Sequence, residues 1–196
     1  MGTCKTKLDS CKDSLVDGTN DREAYPKHWI AALVQMNTEQ KVSAKLNSLG
    51  ICNYVPTQTE IRQWSDRKKK VERIVIPMIV FVHVDKETEK KLRTYSFIYK
   101  FISYPGQKEA AIIPDEQIEN LKFMLNKADD VVKISDSTYK IGEEVEILRG
   151  PLKGMYGVLC YFEEDRPMLG IHIDLLGYAC VNVNKKDVKI KTKQIH

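Results

Sequence analysis

The chain has 196 residues, which is enough for one or two small domains that each close their own core. With 42% hydrophobic and 30% charged residues it has the composition of a soluble globular protein, and no stretch approaches the ~20 apolar residues of a membrane span. The net charge of +4 is too small to indicate nucleic-acid binding by the molecule as a whole.

Residues 1–26 hold almost no large apolar side chains, so they cannot offset the entropy lost on ordering, and we predict a disordered tail. Residues 27–127 instead alternate apolar strands with amphipathic helices. In chain order the predicted elements are a strand over 28–36, a helix over 38–49, a strand over 51–56, a hairpin over 59–76, a strand over 78–84, a helix over 85–95, a strand over 98–102 and a helix from Pro114. This order is typical of an α+β sandwich, with helices on a mainly antiparallel sheet.

The helices of this first domain carry recognisable end signals. Asn37 or Thr38 is the expected N-cap of the first helix, with Gln40 as a capping-box partner for Asn37, and Gly50 stands where a helix-terminating glycine belongs. Asp85 is the expected cap of the second helix. The apolar stripes predicted to be buried are Val42, Leu46 and Leu49 in the first helix and Ile118, Leu121, Met124 and Leu125 in the last.

The hairpin over 59–76 has two alternating arms that are too polar for a core ribbon, and its tip is strongly basic. The side chains of this tip that are expected to contact a binding partner are Arg62, Trp64, Arg67, Lys68, Lys69 and Lys70. Lysine and arginine bind phosphates, and a tryptophan stacks on an unpaired base. A solvated hairpin tip without a ligand is the alternative.

Residues 128–138 are acidic and lack a helical stripe, which predicts a flexible linker that lets the flanking domains reorient. Residues 139–196 contain five short strands, near 144–149, 156–162, 168–174, 178–183 and 187–190, which predict a small SH3-like all-β barrel. Between the first two strands, Pro151 fixes a turn and Gly154 is free to adopt a positive φ. Gly157 lacks the side chain that would keep another backbone away.

The string over 141–159 resembles the KOW motif, a strand-loop-strand of NusG-type transcription factors and several ribosomal proteins, and its motif positions are Gly150, Pro151, Lys153, Gly154 and Gly157. The first domain resembles the NusG N-terminal (NGN) domain. Residues 50–56 resemble its Gly-Ile-x-x-Tyr-x-Pro run, Val71-Glu72-Arg73 its Val-Glu-Arg, and 113–118 its Ile-Pro-Asp-Glu-x-Val. The hairpin tip over 62–69 resembles that of the specialised UpxY-type antiterminators of capsular polysaccharide operons.

The resemblance implies a transcription elongation and antitermination factor. Its first domain would bind RNA polymerase and suppress pausing and termination, with the hairpin residues in contact either with the polymerase gate or with nucleic acid, namely non-template DNA or leader RNA. An exposed apolar depression would receive the polymerase clamp helices, lined by Leu33, Tyr54, Ile76, Ile79 and Phe81, although burial in the core is the alternative for each. The KOW domain would recruit a ribosomal protein or the terminator Rho. We expect a cytoplasmic monomer that acts on one polysaccharide operon.

Two other functions stay open, a housekeeping NusG and a KOW-type RNA- or ribosome-binding protein. The second is a poor match to residues 138–196, whose net charge is only +1. An enzyme is not expected, because the histidines and cysteines lie in strand patterns or at the terminus and the acidic pairs lack a partner group. The five cysteines form no Cys-x-x-Cys pair, and neither a cofactor nor a metal is expected.

Overall fold

The structure is a computed structural model that describes residues 26–63, 68–135, 140–161 and 167–190. Residues 1–25 of the predicted tail lie outside the described residues. The elements are β1 (His28–Leu33), α1 (Glu39–Ser48), β2 (Cys52–Tyr54), β3 (Thr57–Gln63), β4 (Lys68–Ile74), β5 (Ile79–Val84), α2 (Lys86–Leu92), β6 (Lys100–Phe101), α3 (Asp115–Lys127), β7 (Lys133–Ser135), β8 (Lys140–Ile147), β9 (Tyr156–Tyr161), β10 (Pro167–Ile173), β11 (Gly177–Asn182) and β12 (Val188–Ile190). The predicted α+β class is confirmed, and among the described residues the three α-helices precede residue 128, while Lys185–Asp187 form a short 3-10 helix.

The N-terminal sheet is antiparallel with strand order β2-β5-β1-β6. Its central strands, β1 and β5, are apolar on both faces, as the nearly unbroken apolar runs predict. One face packs against α1 and α2, with Ile30 and Val80 in the same apolar cluster as Leu46 and Leu92. The opposite face packs against α3, whose buried residues are the predicted stripe of Ile118, Leu121, Met124 and Leu125.

The C-terminal end of α1 follows the sequence prediction for Gly50 but not for Leu49, which was predicted to be buried and is exposed as the C-cap residue. Gly50 has φ +72°, its N–H donates to the Asn47 carbonyl, and the Ile51 N–H donates to the Leu46 carbonyl. This is the hydrogen-bond pattern of a Schellman motif. The N-terminal end differs, because Thr38 is the N-cap and Asn37 occupies a left-handed turn with φ +63°, so the capping box predicted for Asn37 is not formed.

The C-terminal sheet is antiparallel with strand order β12-β8-β9-β10-β11-β7. Five of its strands match the predicted ones within a few residues. The residues that alternate into its apolar side include Leu159, Leu169, Ile171, Ala179 and Val181. The sixth strand, β7, was not predicted and pairs along β11, with Lys133 opposite Cys180 and Ile134 opposite Ala179.

Strand β7 lies in the segment predicted to be a flexible linker, residues 128–138, and the described part of that segment is ordered. Val132 is fully buried, and residues 133–135 are hydrogen-bonded to β11. The structure therefore has a paired strand in part of the segment that the sequence predicts to be an irregular linker. Acidic composition suggested a linker, but the β-branched Val131, Val132 and Ile134 suit a sheet edge and find one. Residues 136–139 lie outside the described residues.

Candidate functional site

The five apolar residues predicted to bind polymerase are close together. In the strand registers Leu33 lies opposite Ile79, and Tyr54 lies opposite Phe81, so these four side chains share one face of the N-terminal sheet. Ile76 precedes β5 and belongs to the same apolar cluster. We call this set the predicted docking face.

The predicted docking face is not an open depression. Phe81 is 0% exposed, Ile79 4% and Ile76 6%, while Leu33 and Tyr54 are half-buried. The expectation of exposure is therefore corrected for the three buried residues, which occupy the core. These three residues are buried because α3 lies on this face of the sheet. The apolar cluster that contains them also continues into the C-terminal sheet.

A lysine of α3 lies against the edge of the predicted docking face. The Nζ of Lys122 is 4.8 Å from the ring centroid of Trp29 and 5.2 Å from that of Tyr54, within cation–π range. Tyr54 in turn stacks on Phe81 with ring centroids 6.2 Å apart. Burial raises the pKa of the Tyr54 phenol, so this ring is neutral at pH 7. No sequence pattern indicated a role for Lys122, which lies just beside the apolar stripe of α3.

His83 lies on the same face of the sheet, but its side chain is packed against a neighbouring ring and has a structural role. Its ring stacks on Trp29 with centroids 4.9 Å apart. Burial lowers the pKa of His83, and the nearby Asp115 carboxylate opposes that shift only in part. The ring is therefore neutral at pH 7, as suits a stacked side chain.

The hairpin predicted over 59–76 is a separate two-stranded sheet of β3 and β4. Its register runs from Thr57 opposite Ile74 to Gln63 opposite Lys68. Of the predicted contact residues, Lys69 and Lys70 are exposed, and for Arg62 and Lys68 only the backbone is described. Trp64 and Arg67 lie outside the described residues.

The base of the hairpin holds the segment that leads into the C-terminal sheet. Gln58 and Arg73 are direct partners in the hairpin register. The Gln58 Nε2 donates to the Asp130 carbonyl at 2.8 Å, and its Oε1 accepts from the Val132 N–H at 2.9 Å. The Arg73 Nη2 donates to the Val132 carbonyl at 2.6 Å. We call Gln58 and Arg73 the hairpin clip.

The hairpin clip explains why a glutamine is buried here. Gln58 is only 5% exposed, and its amide offers one donor and one acceptor, as a neighbouring strand would. The clip thereby replaces backbone pairing along 130–132. Sequence reasoning missed it, because a single glutamine at the start of a polar arm carries no pattern, and Arg73 was noted only as part of a motif.

The C-terminal sheet also contacts α3 directly. The backbone N–H of Asp174 donates to the Gln117 Oε1 at 2.9 Å. Beside this bond, a cleft of about 340 Å³ lies between the first turn of α3 and strands β8 to β11. Apolar contacts continue across the junction, since Ile118 and Leu121 share a cluster with Ile171 and Ile173. The two sheets are therefore parts of one packed unit in this structure.

The turn predicted to carry the KOW motif has the expected backbone. Gly150 and Gly154 have φ values of +85° and +83°, and the Gly154 N–H donates to the Ile147 carbonyl at 2.8 Å. Pro151 and Lys153 are exposed, whereas Leu152 between them is buried and fixes the turn against the core. A shallow cleft of about 220 Å³ borders this turn, residues 128–130 and residues 181–184.

Gly157 allows a close approach of two backbones, as predicted. A Cβ at this position would be 2.7 Å from the Gly170 carbonyl oxygen and 2.8 Å from the Leu169 Cδ1. We therefore expect Gly157→Ala to lower the free energy of unfolding by about 1–3 kcal/mol, the usual cost of overpacking. Urea denaturation monitored by circular dichroism measures this loss. An unchanged midpoint would show that β9 and β10 are not packed this closely.

Catalytic and metal chemistry finds little support in the described ranges. They contain no group of three or more His, Cys, Asp or Glu side chains placed to hold a metal ion. Cys160 and Cys180 are buried on either side of Gly170, and hydrogen bonding to Cys160 together with burial raises the pKa of Cys180. The Cys180 thiol is therefore protonated at pH 7 and is a poor nucleophile. In the same ranges, no helix has the length and apolar character to cross a bilayer.

Comparison with known proteins gives one family match. Residues 27–122, about half of the chain, match the family described as transcription termination factor NusG. No curated protein matches the chain.

The solved structures that are similar to the chain include the following two. The first, "Domain interaction in Thermotoga maritima NusG", has a TM-score of 0.43 and 20% identity and covers 84% of this chain and 97% of that chain. The second, "Crystal Structure of MjSpt4:Spt5 complex conformation B", has a TM-score of 0.26 and 16% identity and covers 83% of this chain and 95% of that chain.

Proposed function

We propose that this chain is a NusG-type transcription elongation and antitermination factor that binds RNA polymerase through its N-terminal domain. The observation that carries the proposal is the NusG-family match over residues 27–122. The KOW-like turn at 150–157 supports it independently, because it lies outside the matched residues and has the backbone that such a turn needs. The protein acts by binding and not by catalysis.

The proposed polymerase contact involves the predicted docking face, at least through the half-buried Leu33 and Tyr54. Because α3 and the C-terminal sheet pack on this face, a helical partner gains access only when some of these contacts open. Polymerase binding would then shift the chain towards the open arrangement by as much as the affinities for the two arrangements differ, and no more. To oppose pausing, the protein must likewise bind the closed state of the polymerase clamp more tightly than the open state.

The basic hairpin tip is the proposed contact to non-template DNA or leader RNA. Lys69 and Lys70 are exposed, and they lie on a two-stranded sheet that is separate from both larger sheets. Phosphate contacts of this kind are sequence-independent and weaken with salt. The KOW-like turn, with Pro151 and Lys153 exposed, is the proposed site for a ribosomal protein or Rho. We propose that the factor works as a cytoplasmic monomer.

We also propose that the factor acts on a single polysaccharide operon. This part of the proposal rests on the composition of the hairpin tip over 62–69. A housekeeping elongation factor is the competing assignment. Deletion of the gene separates the two. Reduced transcription confined to the distal genes of one long polysaccharide operon supports the specialised role, whereas a change across many unrelated operons assigns the housekeeping role.

A purified elongation assay with the full-length chain tests the activity. We expect the protein to shorten the lifetime of polymerase pauses. A Lys69→Gln, Lys70→Gln variant should retain polymerase binding and lose about tenfold in potency, in line with two lost phosphate contacts. The matched control is Lys127→Gln, Lys189→Gln, which removes the same charge from exposed positions on α3 and β12. Pause lifetimes that do not change with wild-type protein would rule out the proposed function.

A further inference from the structure

Helix α2 and the loop that follows it are one of the basic stretches of the chain, as is the segment 68–73 of the hairpin. Residues 86–101 contain five Lys or Arg and two Glu, a net charge of +3, while the whole chain carries +4. The same 16 residues hold Tyr95, Phe97, Tyr99 and Phe101. Cations alternating with aromatic rings are typical of surfaces that bind single-stranded nucleic acid.

The cations and rings around α2 form two layers. In the inner layer Lys45 lies 5.2 Å above the Phe97 ring and Arg93 lies 5.2 Å above the Phe101 ring. Arg93 also forms an ion pair with Glu89 at 2.6 Å. The two cations of this inner layer are themselves exposed, but each already contacts a ring of the chain, and Arg93 also contacts a carboxylate.

The outer layer consists of Lys86, Lys90, Lys91, Tyr95 and Tyr99, which we call the α2 surface. All five are exposed, and Tyr99 is 59% exposed. Within the part of the chain that the structure describes, none of the three lysines has a carboxylate within ion-pair distance. Tyr95 stacks on Phe97 with centroids 5.1 Å apart, which fixes one side of its ring and leaves the other side to solvent.

Concave surfaces flank α2 on both sides. One cleft, of about 350 Å³, is lined by Lys27, Lys91 and Tyr95. The other, of about 250 Å³, is lined by Lys86, Lys90 and Lys108 together with Arg93 and two glutamates. The lining of each cleft is net positive, with two lysines against Asp85 in the first and four cations against two glutamates in the second, which favours a phosphate backbone.

The α2 surface is distinct from the hairpin. Helix α2 packs on the face of the N-terminal sheet opposite α3, with Leu92 in the cluster of Ile30 and Val80. The hairpin forms its own sheet, and its base contacts residues 130–132. A ligand on the α2 surface therefore uses side chains that the proposed hairpin contact does not use.

We propose that the α2 surface is a second nucleic-acid site, which binds single-stranded RNA or DNA without sequence specificity. Lys86, Lys90 and Lys91 would contact phosphates, and Tyr95 and Tyr99 would stack on bases. Single strands are favoured over duplex, because only unpaired bases present their faces to an aromatic ring. A single strand is also favoured over an acidic protein as the ligand, because the rings of Tyr95 and Tyr99 would stack on bases but would not help to bind carboxylates.

Fluorescence anisotropy with the full-length chain and labelled oligo(U) and oligo(dT) of about 12 nucleotides tests the proposal. The Lys90→Gln, Lys91→Gln variant should bind about tenfold more weakly, and the slope of log affinity against log salt should fall by about 1.4, or 0.7 for each lost phosphate contact. The Tyr95→Ala, Tyr99→Ala variant should also bind about tenfold more weakly, but with the salt slope unchanged. Glutamine favours helix as lysine does, so α2 should remain folded.

The controls distinguish this site from general charge and from the hairpin. Lys127→Gln, Lys189→Gln removes the same charge elsewhere and should bind like wild type to within about twofold. The Lys69→Gln, Lys70→Gln hairpin variant should leave the effect of the α2 substitutions intact. Wild-type affinity in both α2 variants, binding that is lost entirely with the hairpin variant, or no binding by wild-type protein would each overturn the proposal.

Discussion

Replacing Phe81 with alanine is expected to lower the free energy of unfolding by about 4 kcal/mol. Phe81 is completely buried in the central strand β5, opposite Ala31 of β1 and Tyr54 of β2. Truncation removes the transfer free energy of the ring and leaves a cavity that β-sheet neighbours cannot fill. It also removes the stacked contact with Tyr54. Chemical denaturation of the full-length chain measures the loss.

The matched control is Phe123→Ala on α3. Phe123 is 39% exposed, so the same change of side chain should cost less than about 1 kcal/mol. The difference between the two losses of stability distinguishes the two interpretations of Phe81, as a core residue or as an exposed docking residue. If the two substitutions lower the free energy of unfolding equally, Phe81 is an exposed docking residue and not a core residue. That result would contradict the packing of α3 on the sheet.

A Gln58→Met variant is expected to be less stable by about 3 kcal/mol, because it leaves the buried N–H of Val132 without a partner. Methionine keeps the length and most of the packing of glutamine but cannot donate to Asp130 or accept well from Val132. We expect the amide of Val132 to exchange with solvent at least about tenfold faster, since its protection depends on this acceptor. Hydrogen exchange read by NMR measures this directly.

The control for the hairpin clip is Gln40→Met. Gln40 is exposed on α1, so the same substitution should leave both stability and the exchange of Val132 unchanged to within about 0.5 kcal/mol. If Val132 exchanges equally slowly in wild type and in Gln58→Met, the clip does not hold the segment. The connection between hairpin and C-terminal sheet would then be loose, as the sequence had suggested.

Local patterns predicted the elements of this fold well. The stripe of Ile118, Leu121, Met124 and Leu125 follows from helical periodicity, and all four are buried. Gly50 ends α1 because the backbone needs a left-handed residue there. Such signals depend on neighbours within a few residues, which is why sequence alone reveals them.

Features that depend on distant partners were harder to predict. The alternation in β5 places Ile79 and Phe81 on one face, but no local pattern tells which element covers that face. The burial of Phe81 is decided by α3 and the C-terminal sheet. In the same way, residues 130–132 look like a linker until Gln58 and Arg73, 59 or more residues away, supply their hydrogen bonds.

The central claim is that the full-length chain binds RNA polymerase. Size-exclusion chromatography of the purified chain with purified core polymerase tests this most directly. We predict co-elution in a complex of one chain per polymerase, and the same complex with the Lys69→Gln, Lys70→Gln variant. A chain that elutes separately from polymerase at micromolar concentrations would contradict the account.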